Sequence, residues 1–120
     1  PSMLCVEDYL DALRWAAGLG GLSALCARSQ KNLAVLDAWV AKTPWVEFLA
    51  ANPAERSSTS ICLKIVADWF GKLGENEQAD FTKQLSALLE KEGVAYDING
   101  YRNAPPGLRI WGGATVEAAD

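Results

Sequence analysis

Apolar residues recur at three- and four-residue steps in three stretches of this chain, and such spacing predicts amphipathic helices. The first stretch covers residues 7–17 and ends at a cluster of glycines. The second covers residues 22–42 and ends where Thr43 precedes Pro44, because the residue before a proline disfavours helical geometry. The third runs to residue 92, with Asn76 as its expected N-terminal cap and Gly93 placed for a left-handed C-terminal cap.

Four further stretches, at 45–50, 61–66, 94–98 and 108–111, have the composition or the alternation of β-strands. The stretch 61–66 is rich in β-branched residues and carries Lys64 as its one charge, so we expect it to be a central strand covered on at least one face. In 108–111, strand alternation places Leu108 and Ile110 on one face, with Arg109 and Trp111 on the other.

The predicted order is helix, helix, strand, strand, helix, strand, strand. Helices and strands that follow one another without strict alternation favour the α+β class. We therefore expect an antiparallel or mixed sheet of about four strands with helices packed on one face. A length of 120 residues fits a single domain over 1–120.

Composition narrows the function classes. A formal net charge of −4 with scattered basic residues argues against nucleic-acid binding, and no apolar run is long enough to cross a membrane. The chain has no histidine and no Cys-x-x-Cys motif, so it lacks the usual zinc ligands and any serine–histidine or cysteine–histidine pair. These features indicate a soluble cytoplasmic domain. A proline first residue suggests a domain taken from a longer polypeptide or a processed chain.

The segment 100–113 holds the most distinctive candidate chemistry. Arg102 and Arg109 flank a turn formed by Pro105, Pro106 and Gly107, which proline and glycine determine locally. A guanidinium beside glycines and an aromatic suits bidentate recognition of a carboxylate or phosphate. On spacing alone, however, Arg109 is more typical of a solvated edge-strand residue. Arg56 lies just before the strand 61–66. It too could be either an anion contact or a solvated loop residue.

Several short motifs taken together resemble a known enzyme family. They are Pro1-Ser2-Met3-Leu4 before a long helix, Arg56-Ser57 before a strand, and Gly100-Tyr101-Arg102 with Gly107-Leu108-Arg109. This combination resembles the C-terminal small domain of the phosphoserine aminotransferases, in particular the proteobacterial form. The resemblance implies a class-V aminotransferase that depends on pyridoxal phosphate, has an aspartate-aminotransferase-like fold and forms a cytoplasmic homodimer. It also implies amino transfer from glutamate to 3-phosphohydroxypyruvate in serine biosynthesis.

The resemblance also implies roles for individual residues. Arg109 corresponds to the arginine that holds the substrate α-carboxylate. Tyr101 and Arg102 correspond to a His-Arg pair beside the substrate phosphate; here tyrosine replaces the histidine, and Pro105-Pro106 lengthens the turn by one residue. The family's cofactor-binding lysine lies upstream on the large domain, and an Asn-Thr pair should immediately precede Pro1. We therefore expect no catalytic, cofactor-binding or metal-binding residue in this chain, and no activity from it alone.

Two alternatives stay open at this point. Tyr101 leaves room for another class-V aminotransferase that acts on an unphosphorylated oxo acid. The absence of histidine, of a cofactor-type lysine motif and of metal ligands would also suit a non-catalytic binding or dimerisation module. An internal ion pair that locked Arg109 on the helix-covered side of the sheet would contradict its role as a substrate clamp.

Overall fold

Three helices and a three-stranded antiparallel sheet form the regular structure of residues 2–101 and 103–119, the part of the chain that this computed structural model describes. The helices are α1 (Met3–Gly18), α2 (Gly21–Val40) and α3 (Glu75–Lys91), and the strands are β1 (Val46–Phe48), β2 (Ser60–Ile65) and β3 (Gly107–Trp111). Single turns of 3-10 helix lie at Pro53–Glu55 and Phe70–Lys72. The α+β class predicted from the order of elements is confirmed.

Glycine conformation sets the junction between α1 and α2. Helix α1 ends at Gly18, and Gly20 (φ 111°) and Gly21 (φ 72°) then take left-handed geometry that other residues rarely adopt. Gly93 (φ 68°) follows the last turn of α3 in the same way, so the predicted C-terminal cap is confirmed.

The N-terminal cap predicted for α3 is wrong. The helix begins one residue before Asn76, and the backbone N–H of Gly74 donates to Oε2 of Glu77 at 2.8 Å. A glutamate at the third helical position can reach back to the backbone in this way, and its charge is favourable near the positive end of the helix dipole. Glu77 thus takes the role we expected of Asn76.

Strand β2 lies between β1 and β3 and pairs antiparallel with both, so its predicted central position is confirmed. Leu63 fixes the register on both sides, since it lies opposite Phe48 of β1 and Leu108 of β3. One residue away, Cys62 lies opposite Arg109. This register determines which side chains share each face of the sheet.

The sheet has one covered and one open face. Partly buried residues of α2 and α3, among them Leu36 and Leu85, pack against the covered face, which confirms the predicted arrangement. The core on that side consists of Val46, Phe48, Ile61, Leu63, Ile98 and Leu108. The open face carries Glu47, Ser60, Cys62, Lys64, Arg109 and Trp111. The predicted alternation along β3 is therefore confirmed.

The fourth strand expected at 94–98 is not formed. Val94 donates its N–H to the carbonyl of Leu89 at 2.9 Å, which folds the segment back onto the end of α3, and Asp97 adopts a left-handed φ of 51°. Neither geometry belongs to an extended strand. The segment touches the sheet through one hydrogen bond, from Arg109 N–H to the carbonyl of Ile98 at 2.8 Å, and through a bridge between residues 99 and 108.

A buried asparagine fastens the segment after β3 to α2. The side-chain Nδ2 of Asn32 donates to the carbonyls of Gly112 at 3.1 Å, Gly113 at 3.2 Å and Val116 at 3.0 Å. Asn32 is only 8% exposed, so these carbonyls have little access to water. Arg28 adds a hydrogen bond from Nε to the carbonyl of residue 114 at 2.7 Å.

Replacing Asn32 with alanine should lower the free energy of unfolding by about 1–3 kcal/mol, because buried carbonyls lose their donor. The midpoint of urea unfolding measures the change. Asn76→Ala is the matched control, since it makes the same substitution at an exposed position of a helix. Equal midpoints for the two variants would contradict a stabilising role of Asn32.

Candidate anion-binding site

Arg109 lies in the middle of β3, on the open face of the sheet. Its side chain is 32% exposed, so the guanidinium is partly screened from water but accessible. The core residues Leu108 and Ile110 point to the opposite, helix-covered face. Arg109 is therefore not locked on the covered side, the arrangement that would have contradicted a clamp role.

Two neighbours position the guanidinium of Arg109. Oδ2 of Asp97 lies 3.6 Å from Nη2, and Asp97 itself is 92% exposed at its side chain. The ring centroid of Tyr101 lies 5.0 Å from Cζ, within the range of a cation–π contact. Exposed ion pairs of this kind contribute about 0–1 kcal/mol. Asp97 and Tyr101 thus orient the guanidinium of Arg109, and no buried ion pair with Asp97 neutralises its charge.

The Nε–H of Arg109 is buried and has no hydrogen-bond partner among residues 2–101 and 103–119. Leaving a buried donor unpaired costs about 1–3 kcal/mol, and folded proteins rarely do so for structural reasons alone. An anion that drew the side chain outward would give this group a partner. The geometry of Arg109 therefore suits binding better than a purely structural role.

A small cavity of about 100 Å³ adjoins this guanidinium. Arg109, Cys62 and Tyr101 line it together with the turn that precedes β3. Because one water occupies about 30 Å³ in the liquid, such a space holds a group of carboxylate size. A second cleft, of about 220 Å³, lies on the other side of the turn against α3, and Tyr101 lines both.

The turn between Tyr101 and Gly107 sets the shape of both cavities. The N–H of Ala104 donates to the carbonyl of Tyr101 at 3.0 Å and closes it. The two ends approach closely, since a Cβ added to Gly100 would lie 3.3 Å from the carbonyl oxygen of Gly107. Arg102, the other arginine predicted to bind anions, lies outside the described residues.

Arg56 does not join this site. Its Nε donates to the carbonyl of Ala50 at 3.2 Å, its Nη1 pairs with Oδ1 of Asp37 at 3.1 Å, and its Cζ lies 4.0 Å from the ring centroid of Phe48. The side chain is 19% exposed. The solvated-loop interpretation of Arg56 is thus wrong, because the side chain is largely buried. Its contact with a ligand anion stays a prediction. Arg56 ties the loop after β1 to α2.

The sequence interpretation missed Asp97 as a neighbour of Arg109. Our strand prediction for 94–98 placed Asp97 in an extended segment. A usable signal was its residue type, because aspartate and asparagine adopt left-handed geometry more readily than other non-glycine residues.

A cofactor that binds covalently through an aldehyde would attach to a lysine side chain. Such a cofactor needs a lysine amine with a lowered pKa in a desolvated pocket. Of the six lysines, all in described positions, five are exposed, and Lys64 pairs with Oε2 of Glu47 at 3.0 Å on the open face. Residues 2–101 and 103–119 also contain no cluster of side chains suited to a metal ion and no helix long and apolar enough to span a bilayer.

The chain is similar in sequence to proteins of known function. No protein-family model matches the chain. It is 50% identical over all 120 residues to the phosphoserine aminotransferase of Methanosarcina mazei and 51% identical over the same length to that of Methanosarcina barkeri. The chain spans 30% of the length of each relative. Both relatives come from Methanosarcina, so this comparison does not test the resemblance to the proteobacterial form. Over its whole length the chain is thus similar to a segment that makes up 30% of these phosphoserine aminotransferases.

Proposed function

We propose that residues 1–120 form the C-terminal small domain of a phosphoserine aminotransferase with an aspartate-aminotransferase-like fold. The whole protein would transfer an amino group from glutamate to 3-phosphohydroxypyruvate, yielding phosphoserine and 2-oxoglutarate for serine biosynthesis in the cytoplasm. The observation that carries this proposal is the identity of about half of the residues, over the full chain, with relatives of that name.

Within that protein, we assign this domain the role of orienting the substrate. Arg109 would hold the α-carboxylate shared by glutamate and phosphoserine, and its partly exposed guanidinium beside a carboxylate-sized cavity supports the assignment. Holding a reacting molecule in one orientation lowers the entropic part of the barrier. Tyr101 would stack on the guanidinium and keep its plane fixed, as its 5.0 Å distance suggests.

The phosphate end of the substrate would lie near Tyr101 and Arg102. Tyr101 is 70% exposed at the junction of the two cavities, so its hydroxyl can reach a ligand from either side. A tyrosine can donate a hydrogen bond to a phosphate oxygen but supplies no charge at neutral pH. Most of the charge complementarity at this end would then come from Arg102 or from other parts of the protein.

The rest of the polypeptide would supply the cofactor site. When bound, pyridoxal phosphate provides an electron-accepting ring for the amino transfer. Several large apolar side chains of α1 are exposed, including Met3, Leu4 and Tyr9. Exposed apolar patches commonly mark interaction surfaces, so this helix suits contact with the large domain of the same enzyme, which we expect to be a homodimer.

The intact protein tests this function directly. With glutamate as amino donor, it should convert 3-phosphohydroxypyruvate to phosphoserine. It should act on unphosphorylated hydroxypyruvate with a kcat/KM about ten- to a hundredfold lower, because charge-assisted contacts to the phosphate would be lost. Equal kcat/KM values for the two acceptors would favour an aminotransferase of plain oxo acids, and no turnover of either would contradict the proposal.

A further inference from the structure

The backbone at Asp97 places a carboxylate next to Arg109. Among residues 2–101 and 103–119, Asp97 is the one non-glycine residue with a left-handed φ, at 51°. That geometry is less favourable for any side chain than for glycine, although aspartate and asparagine accept it best. The residue follows the turn after α3 and stands immediately before Ile98, whose carbonyl accepts the N–H of Arg109. Asp97 is thereby anchored beside β3.

The contact between Asp97 and Arg109 is weak enough to be exchanged. Their closest charged atoms lie 3.6 Å apart, whereas charge-assisted hydrogen bonds measure about 2.7–2.9 Å. The nearby pair of Glu47 and Lys64 on the same face is closer, at 3.0 Å, and so satisfies its own charges. In the described part of the chain, Asp97 is the carboxylate that forms an ion pair with Arg109.

We propose that Asp97 is the resident counter-ion of Arg109, which an incoming substrate carboxylate displaces, so that Asp97 limits how tightly the site binds acids. The inference rests on the proposed role of Arg109 as the carboxylate clamp. Without ligand, Asp97 holds the guanidinium at the mouth of the cavity. With ligand, the new carboxylate replaces Asp97 at the guanidinium, and Asp97 returns to water, which its 92% exposure allows.

This exchange has two measurable consequences. Removing the charge of Asp97 should tighten the binding of a carboxylate about two- to fivefold, in line with the modest strength of an exposed ion pair. Binding should also depend more steeply on ionic strength in such a variant, because the anion then meets a net positive site whose attraction salt screens. A merely structural role of Asp97 would not change the salt dependence.

The test measures the dissociation constant of malonate, an unreactive dicarboxylate, by calorimetry on the intact protein at low and high ionic strength. Asp97→Asn removes the charge and keeps a residue that tolerates the left-handed geometry. Asp97→Gly serves as the second variant in case the amide makes new contacts. Asp68→Asn, at an exposed loop position, is the control that changes the net charge equally. Arg109→Gln tests the clamp itself.

Tighter and more salt-sensitive binding in both Asp97 variants than in Asp68→Asn is the expected result. If Arg109→Gln weakens binding but the Asp97 variants match the control or bind more weakly, the counter-ion inference is overturned and the proposed function stands. If Arg109→Gln leaves the dissociation constant unchanged, or malonate does not bind the unsubstituted protein, the clamp role fails and the counter-ion inference fails with it.

Discussion

Replacing Arg109 with glutamine is expected to lower kcat/KM of the intact protein for 3-phosphohydroxypyruvate, its proposed substrate, by about thirtyfold to several-thousandfold. Truncating one partner of a partly buried, hydrogen-bonded charge pair costs about 2–5 kcal/mol. Glutamine keeps much of the side-chain length of arginine, so the change removes the charge and the planar fork of donors rather than the packing. Because glutamate also carries an α-carboxylate, kcat/KM for glutamate should fall by a similar factor.

Two further variants make this result specific. Arg109→Lys keeps the charge but loses bidentate geometry, so its kcat/KM should lie between those of the unsubstituted protein and Arg109→Gln. Lys42→Gln, at an exposed position of the turn after α2, is the control that also removes one positive charge, and it should leave kcat/KM unchanged. Steady-state kinetics with each substrate provide the measurement. An Arg109→Gln protein with the kcat/KM of the control would exclude Arg109 as the carboxylate clamp.

The strand periodicity was enough to predict which face of the sheet Arg109 occupies. Leu108 and Ile110 alternate with Arg109 and Trp111. Because successive side chains of a strand point to opposite faces, packing of Leu108 and Ile110 in the core places Arg109 and Trp111 on the other face. The apolar run at 61–66 was equally informative, because a strand with one charge must be covered. These signals are local, so the sequence carries them without knowledge of the fold.

The same alternation misled the prediction at 94–98. Val94, Tyr96 and Ile98 have strand spacing, but only Ile98 is buried, while Val94 and Tyr96 are 69% and 68% exposed. The alternation of three residues could not reveal that the segment folds back onto α3. The left-handed Asp97 interrupts any extended pairing. A short apolar alternation is therefore weak support for a strand unless a partner strand can also be named.

Long-range polar contacts were beyond the reach of the sequence. Asn32 binds carbonyls about 80 residues away, as shown by its bonds to Gly112 and Gly113. Arg56 meets Asp37 and Phe48, which lie on other elements. Nothing in the local pattern around these residues identifies such partners, because they are fixed only when the helices pack on the sheet. For the site, the sequence could therefore identify Arg109 but not the ionic neighbour that positions it.

Replacing Gly107 with alanine is expected to destabilise the protein by about 3 kcal/mol or more, since steric overpacking in a well-packed site costs about 1–3 kcal/mol and here the neighbour is rigid. Gly107 lies opposite Lys64 at the start of β3. A Cβ there would collide with the backbone carbonyl oxygen of Leu63, and no side-chain rotation can relieve that contact. The strands β2 and β3 would have to separate at this end.

Gly71→Ala is the control for this substitution, because a Cβ at position 71 meets no atom within 4 Å. Its effect on the free energy of unfolding, measured by urea unfolding, should stay within about 0.5 kcal/mol. Amide hydrogen exchange gives a local measurement, since the backbone amides of β3 that pair with β2 should exchange faster in Gly107→Ala alone. Equal midpoints and equal exchange in the two variants would contradict the close approach of β3 to β2.

The separation of β3 from β2 would also move Arg109 from its place opposite Cys62. We therefore expect Gly107→Ala to weaken malonate binding, whereas Gly71→Ala should leave it unchanged.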